Sequence, residues 1–84
     1  MMFVVDKIDN TNSLYRILSH DGRALVNKIE AACIVCSGIE SHFRSLGIED
    51  DVYPPIPSNV IESLEKYGNF SFNDGENKWL VHIP

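Results

Sequence analysis

The stretch from Asp21 to Gly47, DGRALVNKIEAACIVCSGIESHFRSLG, decides how the rest of the chain must fold. Leu25, Ile29, Ala32, Cys36, Ile39, Phe43 and Leu46 follow one another at alternating steps of 4 and 3. That spacing keeps side chains on one side of a helix, and no strand produces it. Asp21 reads as the N-cap, since its carboxylate accepts hydrogen bonds from first-turn N–H groups and suits the positive end of the helix dipole. Gly47 reads as the stop: lacking a Cβ, it takes the left-handed conformation, with Ile48 folding back as the apolar partner of the cap. At 1.5 Å per residue such a helix is roughly 37 Å long, so the other elements must pack along it. Its middle, Ala31-Ala32-Cys33-Ile34-Val35-Cys36, is apolar on every side and calls for cover from more than one direction. Gly38, which costs on the order of 1 kcal/mol relative to Ala in a helix interior, marks a bend, a break or a close approach.

Working outward, Phe3 to Ile8 is short and rich in Phe, Val and Ile, as a first strand would be. Asp9-Asn10-Thr11-Asn12 is a turn. Leu14 to Leu18 suits either a second strand or a short helix capped by Asn12, and the turn chemistry and the Tyr and Ile content favour the strand. After the long helix, Pro54, Pro55 and Pro57 make a stiff connector. A second helix is predicted over about Ser58 to Tyr67, with Ser58 as cap, Val60, Ile61, Leu64 and Tyr67 inward, and Gly68 as the stop. Asp74-Gly75 at the centre of a two-residue type I′ turn closes a hairpin in which Phe70 faces Trp79, and Phe72, Trp79, Val81 and Ile83 share one side. The expected fold is α+β: a single domain over residues 1–84, with an antiparallel sheet of about four strands in ββααββ order, packed on one long central helix and a shorter second helix.

The chain has 84 residues, a 44% hydrophobic fraction and a net charge of −5. It reads as one folded unit with one modest core. Residues 1–44 carry five acids and five bases, whereas residues 45–84 carry seven acids against Lys66 and Lys78, so the whole imbalance falls in the second half. Phosphate recognition needs the opposite sign, which disfavours direct contact with nucleic acid or an anionic membrane surface. Met1 to Asp6 has no basic lead-in or long apolar segment, and no membrane span is expected; a cytoplasmic address follows, consistent with two cysteines lying inside a helix.

Cys33 and Cys36 have C-x-x-C spacing, but they sit mid-helix among apolar residues that raise a thiol pKa, and no second ligand pair is present for zinc. They read as buried core thiols, with no metal and no cofactor. His20, His42 and His82 are scattered, and no nucleophile elbow, phosphate loop or dinucleotide fingerprint occurs, so no catalytic residue is assigned and no enzymatic activity is expected. Pro54-Pro55-Ile56-Pro57 satisfies P-x-x-P, but acids rather than bases precede it, which favours a connector over a recognition motif.

The acidic half carries the functional expectation. Glu49, Asp50, Asp51, Glu62, Glu65, Asp74 and Glu76, with Tyr53 and Tyr67 as aromatic anchors, are expected to form a partner-binding surface for a protein with a basic face, converging from the connector, the second helix and the hairpin tip. Small size, acidity and the absence of catalytic motifs also describe inhibitors that phages and mobile elements direct against CRISPR, restriction or transcription machinery. The expectation is therefore a non-enzymatic protein-binding module of that inhibitory kind. The alternative is a structural protein that associates, for example as a homodimer, through spare apolar surface on the long helix around Ile34 and Val35.

Overall fold

The computed structural model describes residues 1–45, 47 and 55–84 of the chain. Strands β1 (Phe3–Ile8), β2 (Leu14–Ile17) and β3 (Leu25–Val26) precede helices α1 (Lys28–Ser45) and α2 (Pro57–Tyr67), and β4 (Phe70–Asn73) and β5 (Lys78–His82) complete the chain. The five strands form one antiparallel sheet in the order β2-β1-β5-β4, with β3 also paired to β1. Two helices cover one face of it. The α+β class and the approximate ββααββ order are as expected, with β3 added.

That added strand corrects the start of the long helix. Leu25 and Val26 pair with Val4 and Phe3, extending along β1 the ladder that β2 makes with Val5 to Ile8. The backbone of Leu25 and Val26 therefore finds partners in the sheet, and α1 begins only at Lys28. Asn27 is the true cap: its Oδ1 accepts the Glu30 N–H at 2.8 Å. Asp21 lies instead in the loop between β2 and β3, where Ser19 accepts the Gly22 N–H at 2.8 Å and Asp21 pairs with Arg23 at 3.3 Å. Leu25 and Ile29 are exposed, so the inward stripe is Ala31, Ala32, Val35, Cys36, Ile39 and Phe43. At the other end Gly47 takes φ 67° and its N–H meets the Arg44 carbonyl at 3.1 Å, the stop read from sequence. Leu46 and Ile48 lie outside the described residues.

Gly38 marks a close approach. The helix runs unbroken past it, and a Cβ there would collide with the Trp79 ring. Trp79 packs against the bare backbone, and Lys7 sets its ammonium 5.5 Å from the ring centroid. The core joins Phe3, Val5, Val26, Trp79 and Val81 of the sheet to the α1 stripe and to Val60 and Leu64 of α2, so the apolar middle of α1 is covered from two sides.

In α2 the cap position is Ile56, with Pro57 in the first turn and no side-chain cap, because proline presets the helical φ and has no N–H to satisfy. Ser58 is not the cap. Tyr67 is 67% exposed and leaves the inner stripe, while Gly68, at φ 74° with its N–H on the Leu64 carbonyl, ends the helix as predicted. The C-terminal hairpin has four loop residues rather than two. Asp74 Oδ1 accepts the N–H groups of Glu76 and Asn77 at 2.9 and 2.8 Å, and Asn73 Oδ1 accepts that of Gly75 at 2.9 Å. These side-chain turns displace the two-residue loop and slip the register by two, so Phe72 faces Trp79 and Phe70 faces Val81. An even slip preserves the faces, and the core set survives. Ile83 lies past the strand and is half exposed.

Candidate interaction surfaces

The expected acidic residues fall into separate groups. Glu49, Asp50, Asp51 and Tyr53 lie outside the described residues. On α2, Glu62 and Tyr67 line a shallow depression with Asn59, Ser63 and Lys66, and Glu65 Oε1 pairs with Lys28 Nζ at 3.2 Å. The hairpin-tip acids sit at the far end of α1. Asp74 Oδ2 lies 3.3 Å and Glu76 Oε2 3.7 Å from His42 Nε2, and Asn77 Nδ2 lies 2.9 Å from the same nitrogen. Lys28 and His42 are 14 residues apart on one helix, which separates Glu65 from the hairpin tip by roughly 21 Å along its axis. The α2 acids and the tip acids therefore do not converge on one spot.

The tip carboxylate also has a structural task. Burial opposes the charge of Asp74, but the backbone N–H groups of Asn77 and Glu76 and the neighbouring His42 outweigh it and hold its pKa below the usual value. Asp74 thus ties the β4–β5 loop to the C-terminal end of α1.

The face of the sheet turned away from the helices carries a cluster absent from the sequence reading. Asp6, in the central strand β1, is 3% exposed. Arg16 of β2 donates to both of its oxygens, Nε to Oδ1 at 2.8 Å and Nη2 to Oδ2 at 3.2 Å, and His82 Nε2 lies 2.8 Å from Oδ2. Burial opposes the carboxylate, yet the hydrogen bonds and charges of Arg16 and His82 together hold its pKa below the usual range. In return the Asp6 bond, followed by the contact of Nδ1 with the Ile83 carbonyl at 3.1 Å, raises the pKa of His82. Both ring nitrogens face acceptors, an arrangement only the imidazolium satisfies fully. Half of this cluster had a sequence signal: Asp6 and Arg16 become cross-strand neighbours once the hairpin register is known. The His82 contact spans 76 residues of sequence and had none.

Around Asp6 the register sets out the whole face. Val4 is flanked by Leu25 and His82, Asp6 by Arg16 and Leu80, and Ile8 by Leu14 and Lys78. Leu14, Leu25, Arg16 and Lys78 are exposed.

The concave sites offer little reactive chemistry. A cleft of about 650 Å³ between the start of β1, α1 and α2 is lined by Met1, Phe3, Asn27, Lys28, Ile29, Leu64 and Glu65, where the one ion pair neutralises itself. A second, of about 410 Å³, holds Cys33, Cys36, Glu40 and Pro55 to Pro57. Both thiols are free; Cys36 is buried, but Cys33 is exposed, which corrects its assignment to the core. Burial, then the neighbouring Cys33, pushes the Cys36 thiol up, away from the thiolate that redox or metal chemistry requires. Among the described residues no three His, Cys, Asp or Glu side chains are placed to hold a metal ion, and no helix is long and apolar enough to cross a membrane.

Comparisons with protein-family models, with curated proteins and with solved structures each return no match to this chain. What the fold and surfaces define is a class: a small α+β domain with helices on one face of an antiparallel sheet and its charged groups distributed over two exposed sides.

Proposed function

We propose that this protein is a non-enzymatic binding module that docks the outer side of α2 on a basic protein surface, and so blocks or adapts a larger partner in the manner of small acidic inhibitors from phages or mobile elements. The observation that carries the reading is Tyr67, 67% exposed at the end of α2 and lining one depression with Glu62. An exposed tyrosine combines a rigid apolar ring with a polar tip, and acids beside it steer encounter with cationic partners. Glu49, Asp50, Asp51 and Tyr53 belong to the same proposal through their sequence alone. Asp74 and Glu76 form a separate outlying patch.

The alternative association through Ile34 and Val35 is disfavoured, since Val35 is fully buried and Ile34 packs against the core. The test is affinity capture at low salt from the cells that make the protein, comparing the native chain with a Glu62→Gln, Glu65→Gln, Tyr67→Ala variant. The expected outcome is a basic protein retained by the native chain, released by moderate salt, and recovered at least about tenfold less with the variant. Equal recovery with both would contradict the proposal.

A further inference from the structure

We infer that the helix-free face of the sheet is a second docking surface, and that its occupant is an acidic amphipathic helix of a partner protein. Among the described residues the exposed charged side chains on the strands of this face are Arg16, Lys78 and His82, and at its Lys78 end Asp9 and Glu76 line a depression with Ile8, Asn73 and Lys78. The acid within these strands, Asp6, has a side chain only 5% exposed and lies under Arg16 and His82. This polarity is opposite to the net charge of −5 of the whole chain. Along the β2–β3 edge Arg16 sits between Leu14 and Leu25, which are 59% and 42% exposed, and on β5 Leu80 sits between His82 and Lys78. An antiparallel sheet that met only water here would alternate polar residues outward. Leucines and cations are interspersed over this face.

Size and charge select the occupant. Four strands set their outer axes roughly 15 Å apart, enough to seat one helix of about 10–12 Å diameter. A second copy laid face to face would oppose Arg16, Lys78 and His82 with the same cations, at a cost in repulsion. Nucleic acid is disfavoured because, among the described residues, the strands turn no Phe, Tyr or Trp to this face on which bases could stack. An acidic helix with an apolar stripe offers partners to both the leucines and the cations.

The surface is distinct from α2, so the two docking claims fail separately. The experiment places the photo-cross-linker p-benzoylphenylalanine at Leu14 or at Leu25 in the full chain, in the cells that produce it, with Glu62 carrying the same group as a control on the helix side. Lys78→Glu provides the charge test, because Lys78 is exposed and outside the Asp6 cluster; unchanged thermal melting establishes that each variant folds. The expected result is a cross-link from Leu14 and Leu25 to an acidic helical segment of another protein, with the yield falling at least about fivefold in the Lys78→Glu background. Cross-linking to a second copy, to a basic segment or to nucleic acid would overturn the inference. So would an absence of product, or a yield indifferent to Lys78→Glu. A product from Glu62 alone would leave the α2 reading standing and remove this one.

Discussion

Asp6 is the residue on which the sheet's free face depends. A carboxylate so thoroughly buried survives because Arg16 binds it through two nitrogens and His82 through a third. The pH dependence follows from the directions of the two shifts. Asp6 titrates below its ordinary value of 3.8, so its share of stability is present above that pH and is lost only as pH falls through the lowered value. His82 titrates above 6.5, so its share is complete below that pH and is lost as pH rises through the raised value. Urea denaturation should therefore show His82→Gln less stable than the native chain at about pH 6, with the gap narrowing as the pH rises towards about 9. Parallel stability curves across that range would show that the imidazolium contributes nothing.

The elements pack on one core, and caps and turns set where each begins and ends. Asn27 caps α1 where β3 leaves the sheet, so Asn27→Ala should lower stability by about 1 kcal/mol in chemical denaturation, with Asp21→Ala within a few tenths of zero because Asp21 lies in an exposed loop. How much of the fold was legible follows from the same positions. The stops at Gly47 and Gly68 and the inward set Ala32, Cys36, Ile39 and Phe43 follow from local spacing or conformation, and the sequence carries them openly, whereas Leu14 to Ile17 fitted strand or helix and turn chemistry tipped the reading to strand. The start of α1 was not legible, because Leu25 and Ile29 continue the helical spacing by coincidence while a pairing with Val4, 21 residues away, decides the outcome. The hairpin register failed for a local reason: Asn73 and Asp74 side chains compete with the turn that Asp74-Gly75 suggests. Of the candidate site, the outward placing of Glu62 and Glu65 on α2 was legible from helical spacing, whereas the same spacing put Tyr67 inward and the structure exposes it. The Asp6–His82 contact depends on the non-local pairing of β1 with β5.

At the scale of the whole molecule, two layers leave two different outsides. The helix layer exposes Glu62, Glu65 and Tyr67 together with Lys28 and Lys66, and the sheet layer exposes Arg16 and Lys78 interspersed with Leu14 and Leu25. Neither face gathers a base, a nucleophile and an orienting group in one cleft, and the clefts near the cysteines and at the start of α1 lack such a set among the described residues.

The most direct measurement is hydroxyl-radical footprinting of the captured complex against the free protein, reading the oxidation of Tyr67. Its ring is largely exposed in the free chain, so docking through α2 should slow its oxidation at least about fivefold while the exposed Tyr15 at the sheet edge is unaffected by that contact. If Tyr67 oxidises at the same rate in the complex as alone, α2 is not the docking surface and the proposed function is wrong.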